Sequence, residues 1–333
     1  MKLRKTLGII MAAVLTVGTM AGCSQATQNY IKEVNNVEKW ESTTSDITGT
    51  VGVDAQGIKQ DISFTCTAYK AKENEYADIK FKDPNGKINI PELKLYCDEN
   101  TIYINKSFLE GIYTSTGQAV PNELTNIKEE YIGTDVNSNN AKTNANVEQI
   151  KALANDPDAL MKLGKLIFGE NNDLDLPYVQ NGREYTLYLD GNQTVDLAAK
   201  AIIAGANNLD NLNSNFKLKL TAEQIAEAKK EINNTNFTSK LAEIKMALNG
   251  TSISSKNTFT DNSYTSDFNM NLQVKDFGKL YFGMKSTTSK TEGKVVEMPA
   301  SKIKLTEEEF DKMLGVSTTA KATIPAATGT SIK

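Results

Sequence analysis

The sequence predicts an α+β protein whose main element is an antiparallel β-sheet. Apolar and polar side chains alternate over residues 58–68 and again over 264–275, which is typical of strands with one buried face. Between these segments, residues 144–169 and 194–206 carry apolar side chains at helical spacing. Tight turn signals such as Asp-Pro-Asn-Gly at 83–86 separate the short strands and favour an antiparallel meander.

The first meander is predicted to start with a strand over 58–68, whose even-numbered side chains are mostly apolar. Further strands are expected at 76–82, 88–97 and 101–106. Pro91 lies inside the third of these. Because proline cannot donate a ladder hydrogen bond, it indicates an edge position or a bulge there.

The middle of the chain is predicted to be helical, with one strand at 183–190 between the helices at 144–169 and 194–206. The polar segments at 131–146 and 207–215 are expected to be loops. The last strands are predicted at 264–275, 280–284 and 294–298.

Two ten-residue stretches, 216–225 and 301–310, repeat one pattern. Each has an alternating segment followed by a threonine with Gln or Glu three residues on, which predicts a capping box at a helix start. An ancient duplication would explain the repeat, but a recurring local way of ending a strand and starting a helix is the favoured interpretation.

The first 23 residues predict a secretory signal that ends at a cysteine. Three cations precede an uncharged, mostly apolar run at 6–20, and Ala21, Gly22 and Cys23 follow. The run is shorter than the roughly twenty residues of a membrane-spanning helix. Met20 to Cys23 resembles the bacterial lipobox, with Met in place of the usual Leu, and this resemblance implies that Cys23 receives a diacylglycerol group. The alternative is an ordinary cleaved signal with an incidental cysteine.

Composition argues against several classes of function. The whole chain carries a net charge of −4 and only two arginines, so a basic face for nucleic acid is not expected. It contains no histidine, which excludes Ser-His-Asp or Cys-His catalysis and imidazole zinc sites. Asp173 and Asp175 were weighed as a calcium loop, but a polar loop is favoured because the glycine and distal glutamate of such loops are absent. Neither a metal nor a cofactor is expected.

Cys66 and Cys97 are the two cysteines that remain free for other roles once Cys23 is lipidated. A disulfide between them is compatible with a compartment outside the cytosol. The alternative is a pair of reduced thiols that pack as small apolar residues. The sequence leaves both interpretations open.

The layout of these elements resembles the half-barrel lipoproteins of the LolA and LppX type. This resemblance covers residues 30–300 and includes a strand at 183–190 followed by an amphipathic helix. It implies a strongly curved antiparallel β-sheet, a half-barrel, with helices packed over its concave face. The expected organisation is a signal peptide at 1–22, a tether at 23–30, a LolA/LppX-like domain at 31–314 and a disordered tail at 315–333.

The same resemblance implies a non-catalytic protein on the outer face of the cell membrane, where a groove binds a lipid or another hydrophobic ligand. Large inward-facing side chains are the candidates for that groove: Phe64, Phe268, Met270, Leu272, Phe282 and Met284. Methionine suits adaptable apolar surfaces. The alternatives are a structural, interaction or regulatory module of the envelope with a filled core and a protein partner, and, least favoured, an enzyme with a Ser-Lys or carboxylate site.

Overall fold

The structure, a computed structural model, describes residues 24–72, 74–86, 88–98, 100–135, 164–165, 167–169, 174–216, 218–232, 234–293 and 295–315. Twelve strands and eight helices lie in these ranges. The strands are β1 Ser42–Ala55, β2 Ile58–Ala71, β3 Asn74–Lys82, β4 Leu93–Cys97, β5 Thr101–Asn105, β6 Tyr131–Asp135, β7 Val179–Asn181, β8 Glu184–Asp190, β9 Ser252–Phe259, β10 Ser263–Val274, β11 Gly278–Lys290 and β12 Lys302–Leu305. The helices are α1 Gln25–Glu38, α2 Lys106–Ser115, α3 Asn122–Thr125, α4 Gly191–Asn207, α5 Leu209–Phe216, α6 Ala222–Ile232, α7 Thr235–Ala247 and α8 Glu307–Met313.

All twelve strands belong to one open sheet, in the order β12-β6-β5-β4-β3-β2-β1-β11-β10-β9-β8-β7. Every pair in it is antiparallel except β12 with β6, which is parallel. The N-terminal meander β1–β5 and the C-terminal meander β9–β11 join where β1 pairs with β11 over the whole length of β1 except its first residue. The prediction of an α+β protein with a mostly antiparallel sheet is therefore confirmed.

The strand register sorts the side chains onto two chemically different faces. Residues that pair directly across antiparallel strands point to the same side of the sheet. Phe64 pairs with Gly49 and Phe81, and Met284 pairs with Gly49 and Phe268. We call this side the apolar face. The opposite side, called the polar face, carries mostly threonine, lysine, aspartate, asparagine and tyrosine.

Helices cover the apolar face at both ends of the sheet. At the β8 end, Leu187 and Leu189 are buried beside α4, whereas Tyr188 between them is 60% exposed on the polar face. Next to this end, α4, α5 and α6 share a core that includes Leu209 and Ile225. At the other end, a second core joins strands β6 and β12 to helices α2, α3 and α8. Its members include Leu109, Leu124, Ile132, Ile303, Leu305 and Met313.

Helix α1 is attached to the β7–β8 end of the sheet by polar and aromatic contacts. Thr27 is 1% exposed, and its hydroxyl donates to Asp175 Oδ1 at 2.7 Å. Arg183 donates to both carboxylate oxygens of Glu33, at 2.8 and 2.7 Å, and to Asp261 at 2.6 Å. These contacts correct the predicted tether at 23–30, because the helix begins at Gln25 and its first turns are already packed.

Three further predictions of local structure are corrected. The predicted loop at 207–215 contains helix α5, and the predicted loop at 131–146 begins with strand β6. The predicted strand at 294–298 has no strand among its described residues. In the first two cases, side chains buried by other parts of the chain, such as Leu212 and Ile132, outweigh a polar local sequence.

The structure contradicts the edge position predicted from Pro91 and confirms the two predicted capping boxes. Strand β4 begins only at Leu93, after Pro91, and it pairs with β3 and β5, so the predicted edge position is wrong. Both capping boxes are confirmed. Thr221 and Gln224 exchange hydrogen bonds at the start of α6, and Thr306 and Glu309 do so at the start of α8.

Several predictions lie outside the described residues: the signal peptide at 1–22, the lipidation site Cys23, most of the helix at 144–169 and nearly all of the tail at 315–333. Among the helices that the structure describes, none is long and apolar enough to span a bilayer.

Candidate functional site

All six candidate groove residues lie on the apolar face, on strands β2, β10 and β11. Phe268 pairs with Met284 and Met270 pairs with Phe282, so these four side chains form two adjacent cross-strand pairs. Leu272 extends the pattern by one pair, opposite Leu280. The structure therefore brings together residues that are separated by more than two hundred positions in the sequence.

Aromatic rings connect these pairs across strand β1. The ring of Phe64 lies 6.4 Å from that of Phe282, with 19° between their planes, although β1 separates their strands. Phe268 completes the group at 6.0 Å from Phe282. Such ring separations are favourable for aromatic pairs. The cluster therefore forms one continuous apolar surface over β2, β1, β11 and β10.

Gly49 on β1 makes this arrangement of rings possible. It pairs with both Phe64 and Met284, and a side chain there would place its Cβ 2.3 Å from Phe64 Cζ and 2.8 Å from the backbone oxygen of Gly283. Both distances are far below van der Waals contact. Only glycine lets the Phe64 ring lie flat over β1, so Gly49 shapes the surface although it contributes no side chain.

We expect Gly49→Ala to lower the free energy of unfolding by about 1–3 kcal/mol, because the added methyl group must push the Phe64 ring and the neighbouring strand apart. Urea unfolding followed by circular dichroism would measure this. Gly283→Ala on β11 is the matched control, since its Cβ would approach only the movable Asn269 side chain, at 3.1 Å. Equal destabilisation by the two substitutions would contradict this account.

A cleft of about 530 Å³ lies at these four strands. Four of the six candidates line it, namely Phe64, Met270, Phe282 and Met284. Most of the lining, however, consists of polar-face residues from the same strands, among them Thr50, Ser63, Asn269, Tyr281 and Lys285. The volume falls within the range of about 300–1,000 Å³ that is usual for small-molecule sites.

The apolar face remains partly exposed to solvent in this central region. Val51 is 39% exposed and Leu280 is 41% exposed, and each of the six candidates is half-buried. Since each Å² of apolar surface left in water forgoes about 25 cal/mol, covering this region with another apolar surface would be favourable. The face is therefore chemically suited to an apolar ligand.

A second cleft, of about 390 Å³, lies between the end of α1 and strands β1–β4. Val37 from the helix and Ala68, Leu95, Cys97 and Tyr264 from the sheet line it. The four sheet residues belong to the apolar face by register. The apolar face thus carries a depression beside α1.

Of the two interpretations left open for Cys66 and Cys97, the structure has the reduced thiols, because both cysteines are free. Cys66 on β2 pairs with Ile79 on β3, and Cys97 on β4 pairs with Glu75 on β3. The two cysteines therefore lie on opposite sides of β3 and are offset by four residues along it. Four residues of a strand span about 13 Å, whereas a disulfide needs Cα atoms within about 7 Å. Burial raises the pKa of both thiols, which keeps them protonated at neutral pH.

Several contributors to this surface were not among the predicted groove residues. Gly49 and Val51 on β1 and Leu280 on β11 share the face with the candidates. Only the pairing of β1 with β2 and β11 shows which residues of β1 lie beside Phe64. Strand β1 therefore lies at the centre of this surface, although none of the six candidates belongs to it.

Charged groups around the site serve structural roles. Lys285, which lines the central cleft, lies 3.2 Å from Asp267 on β10. Asp175, half of the weighed calcium loop, accepts a hydrogen bond from Thr27. Within the described part of the chain, no three His, Cys, Asp or Glu side chains are grouped as a metal site. No protein-family model matches the chain, and no curated protein sequence matches it.

Proposed function

We propose that this protein is an extracytoplasmic lipoprotein, anchored to the cell membrane through Cys23, that binds a fatty acyl chain or a ligand of similar apolarity on the centre of its apolar face. The observation that carries the proposal is the half-exposed apolar cluster around Phe282. The lipobox-like segment before Cys23 supports the location. Binding involves no covalent chemistry.

The proposal includes a curved sheet, a half-barrel whose concave side is the apolar face. It is supported by the two groups of helices, which pack on the apolar side at the β8 end and at the β6 end. Strands of twelve to fourteen residues at the centre also favour strong twist and coiling. A ligand lying between the two groups of helices would be held from both sides.

The test is binding of a fluorescent analogue of palmitate to the chain carrying Cys23→Ser, so that no anchor lipid competes. We expect saturable binding that Met270→Asp weakens at least about tenfold, because a carboxylate would be buried against the acyl chain. Thr265→Asp, exposed on the polar face of the same strand, is the matched control and should bind like the unmodified sequence.

Two measurements make the result decisive. Native mass spectrometry with lipid extraction would identify any ligand that copurifies, and circular dichroism would show whether Met270→Asp is folded. Met270→Ser serves as a milder variant if it is not. Absence of a copurified lipid together with absence of probe binding would overturn the proposal and favour an envelope module that binds a protein partner.

A further inference from the structure

A row of tyrosines crosses the polar face, on the side of the sheet opposite the proposed lipid site. Tyr69 on β2 pairs with Tyr76 on β3, Tyr76 pairs with Tyr96 on β4, and Tyr96 pairs with Tyr103 on β5. Tyr131 on β6 has the same orientation, since its neighbour Gly133 pairs with Tyr103. Five consecutive strands thus each contribute one tyrosine to the same face.

The rings form a nearly continuous aromatic strip. Tyr69 and Tyr76 lie 6.1 Å apart with only 8° between their planes, and Tyr76 and Tyr96 lie 4.6 Å apart. Tyr131 meets Tyr96 edge to face at 5.2 Å. Tyr131 reaches Tyr96 across β5, and the neighbouring ring centroids of the strip are 4.6–6.1 Å apart.

One end of the strip is fixed and the rest is accessible. Tyr103 is only 6% exposed, because Lys302 Nζ lies 5.2 Å from its ring centroid and its ring lies over Gly133, where a Cβ would come within 2.4 Å. Tyr69, Tyr76 and Tyr96 are half-buried. Their rings pack against one another and still present part of their surface to solvent.

Polar groups border the strip on the neighbouring register positions. Glu92 lies 3.5 Å from Lys80 and 3.3 Å from Lys94, and Asp78 pairs with Lys94 on the polar face, so the group holds two carboxylates and two ammonium groups. Burial and the neighbouring Glu92 raise the pKa of Asp78. The Glu92 side chain is 38% exposed and therefore offers an accessible acceptor to a bound donor.

We propose that this tyrosine strip binds a neutral polysaccharide chain. The C–H faces of pyranose rings stack on aromatic rings, while sugar hydroxyl groups donate to carboxylates. A strip of tyrosines spaced by about one sugar ring, next to the exposed carboxylate of Glu92, supplies both features. The formal charges of Asp78, Glu92, Lys80 and Lys94 sum to zero, which favours an uncharged ligand.

The position of the strip favours a glycan over a peptide. Extended peptides usually add to a free sheet edge, where they gain main-chain hydrogen bonds. Strands β2–β5 are all interior, so their backbone groups are already paired. A ligand on this face can use only side chains. The tyrosine strip also lies on the opposite face of the sheet from Phe282 and Met270. The glycan proposal therefore does not depend on the proposed lipid site.

The experiment is co-sedimentation of the mature protein with insoluble cellulose, chitin and mannan, followed by calorimetric titration with a soluble hexasaccharide of any that binds. We expect binding to at least one of them, weakened about tenfold or more by Tyr76→Ala or Tyr96→Ala. Tyr76→Phe keeps the ring and should retain most of the affinity. Tyr188→Ala is the matched control, because Tyr188 is exposed on the same face but far from the strip.

Thermal unfolding of each variant separates lost binding from lost structure, and Tyr69→Ala at the end of the strip provides a milder variant should Tyr76→Ala unfold. The proposal is overturned if none of the three polysaccharides binds, or if folded strip variants bind as tightly as Tyr188→Ala. Binding of a proline-rich peptide without any glycan binding would also overturn it and assign the strip to peptide recognition.

Discussion

Replacing Cys23 with serine is expected to move the protein from the membrane fraction to the soluble fraction. Two acyl chains give a stable anchor, whereas a chain without them has only weak surface attachment. None of the described helices could replace the anchor by spanning the bilayer. Fractionation of cells followed by mass spectrometry of the N-terminal peptide would measure the change directly.

Cys97→Ser provides the control for this experiment. Cys97 is a free, half-buried thiol on strand β4, so its loss removes a sulfur without touching the anchor. That variant should stay entirely with the membranes. If Cys23→Ser also stayed there, or if the native N-terminal peptide carried no acyl mass, the anchor would have to be abandoned and an ordinary cleaved signal accepted.

Tyr30→Ala is expected to lower the free energy of unfolding by about 3 kcal/mol and to loosen helix α1. The Tyr30 ring stacks on Tyr178 at 4.5 Å and meets Tyr185 and Phe259 edge-on at 5.6 and 5.9 Å. Burial also raises the pKa of the Tyr30 hydroxyl strongly, as expected for a group removed from water. Truncation of Tyr30 would leave a cavity beside the three aromatic rings that it contacts.

Urea unfolding and proteolysis near residue 38 would test this second result. Tyr188→Ala is again the control, because its 60% exposed side chain should change stability by no more than about 0.5 kcal/mol. Equal effects of the two substitutions would mean that α1 is not held by its aromatic contacts. In that case the ion pairs between Arg183 and its two carboxylate partners would have to hold the helix.

Local pattern was sufficient for the strands with the cleanest alternation. The predicted strand at 264–275 is β10, Ser263–Val274, and the predicted helix at 194–206 is α4, Gly191–Asn207. Both are long enough for periodicity to be decisive. Because alternation also fixes which side chains share a face, the six groove candidates could be placed together before any strand order was known.

Other elements depend on contacts that no local pattern contains. Among the residues of helix α5 whose burial the structure describes, Leu209 and Leu212 alone are buried, at 5% and 4% exposure, within a stretch rich in asparagine. Strand β6 exists because β5 and β12 pair with it on both sides. Tertiary pairing overrides weak local preference in both cases.

The two proposed sites also differ in how far they can be predicted from the sequence, because each depends on strand pairing to a different degree. Phe64 and Phe282 were recognisable as inward-facing residues, but the role of Gly49 between them depends on β1 lying next to β11. The tyrosine strip was not predicted at all. Its members are spread over residues 69–131. They form a row only because β2 pairs with β3, β3 with β4, β4 with β5 and β5 with β6 in the observed registers.

The pairing of β1 with β11 also constrains when this protein can fold. Ser42 leaves the ribosome more than two hundred residues before Lys290, so β1 must wait with one side unsatisfied until nearly the whole chain has been delivered. Contacts this distant in sequence slow folding, and an open strand edge invites pairing with other chains. For the exported lipoprotein that we propose, this topology favours a chain that is kept unfolded until it has crossed the membrane.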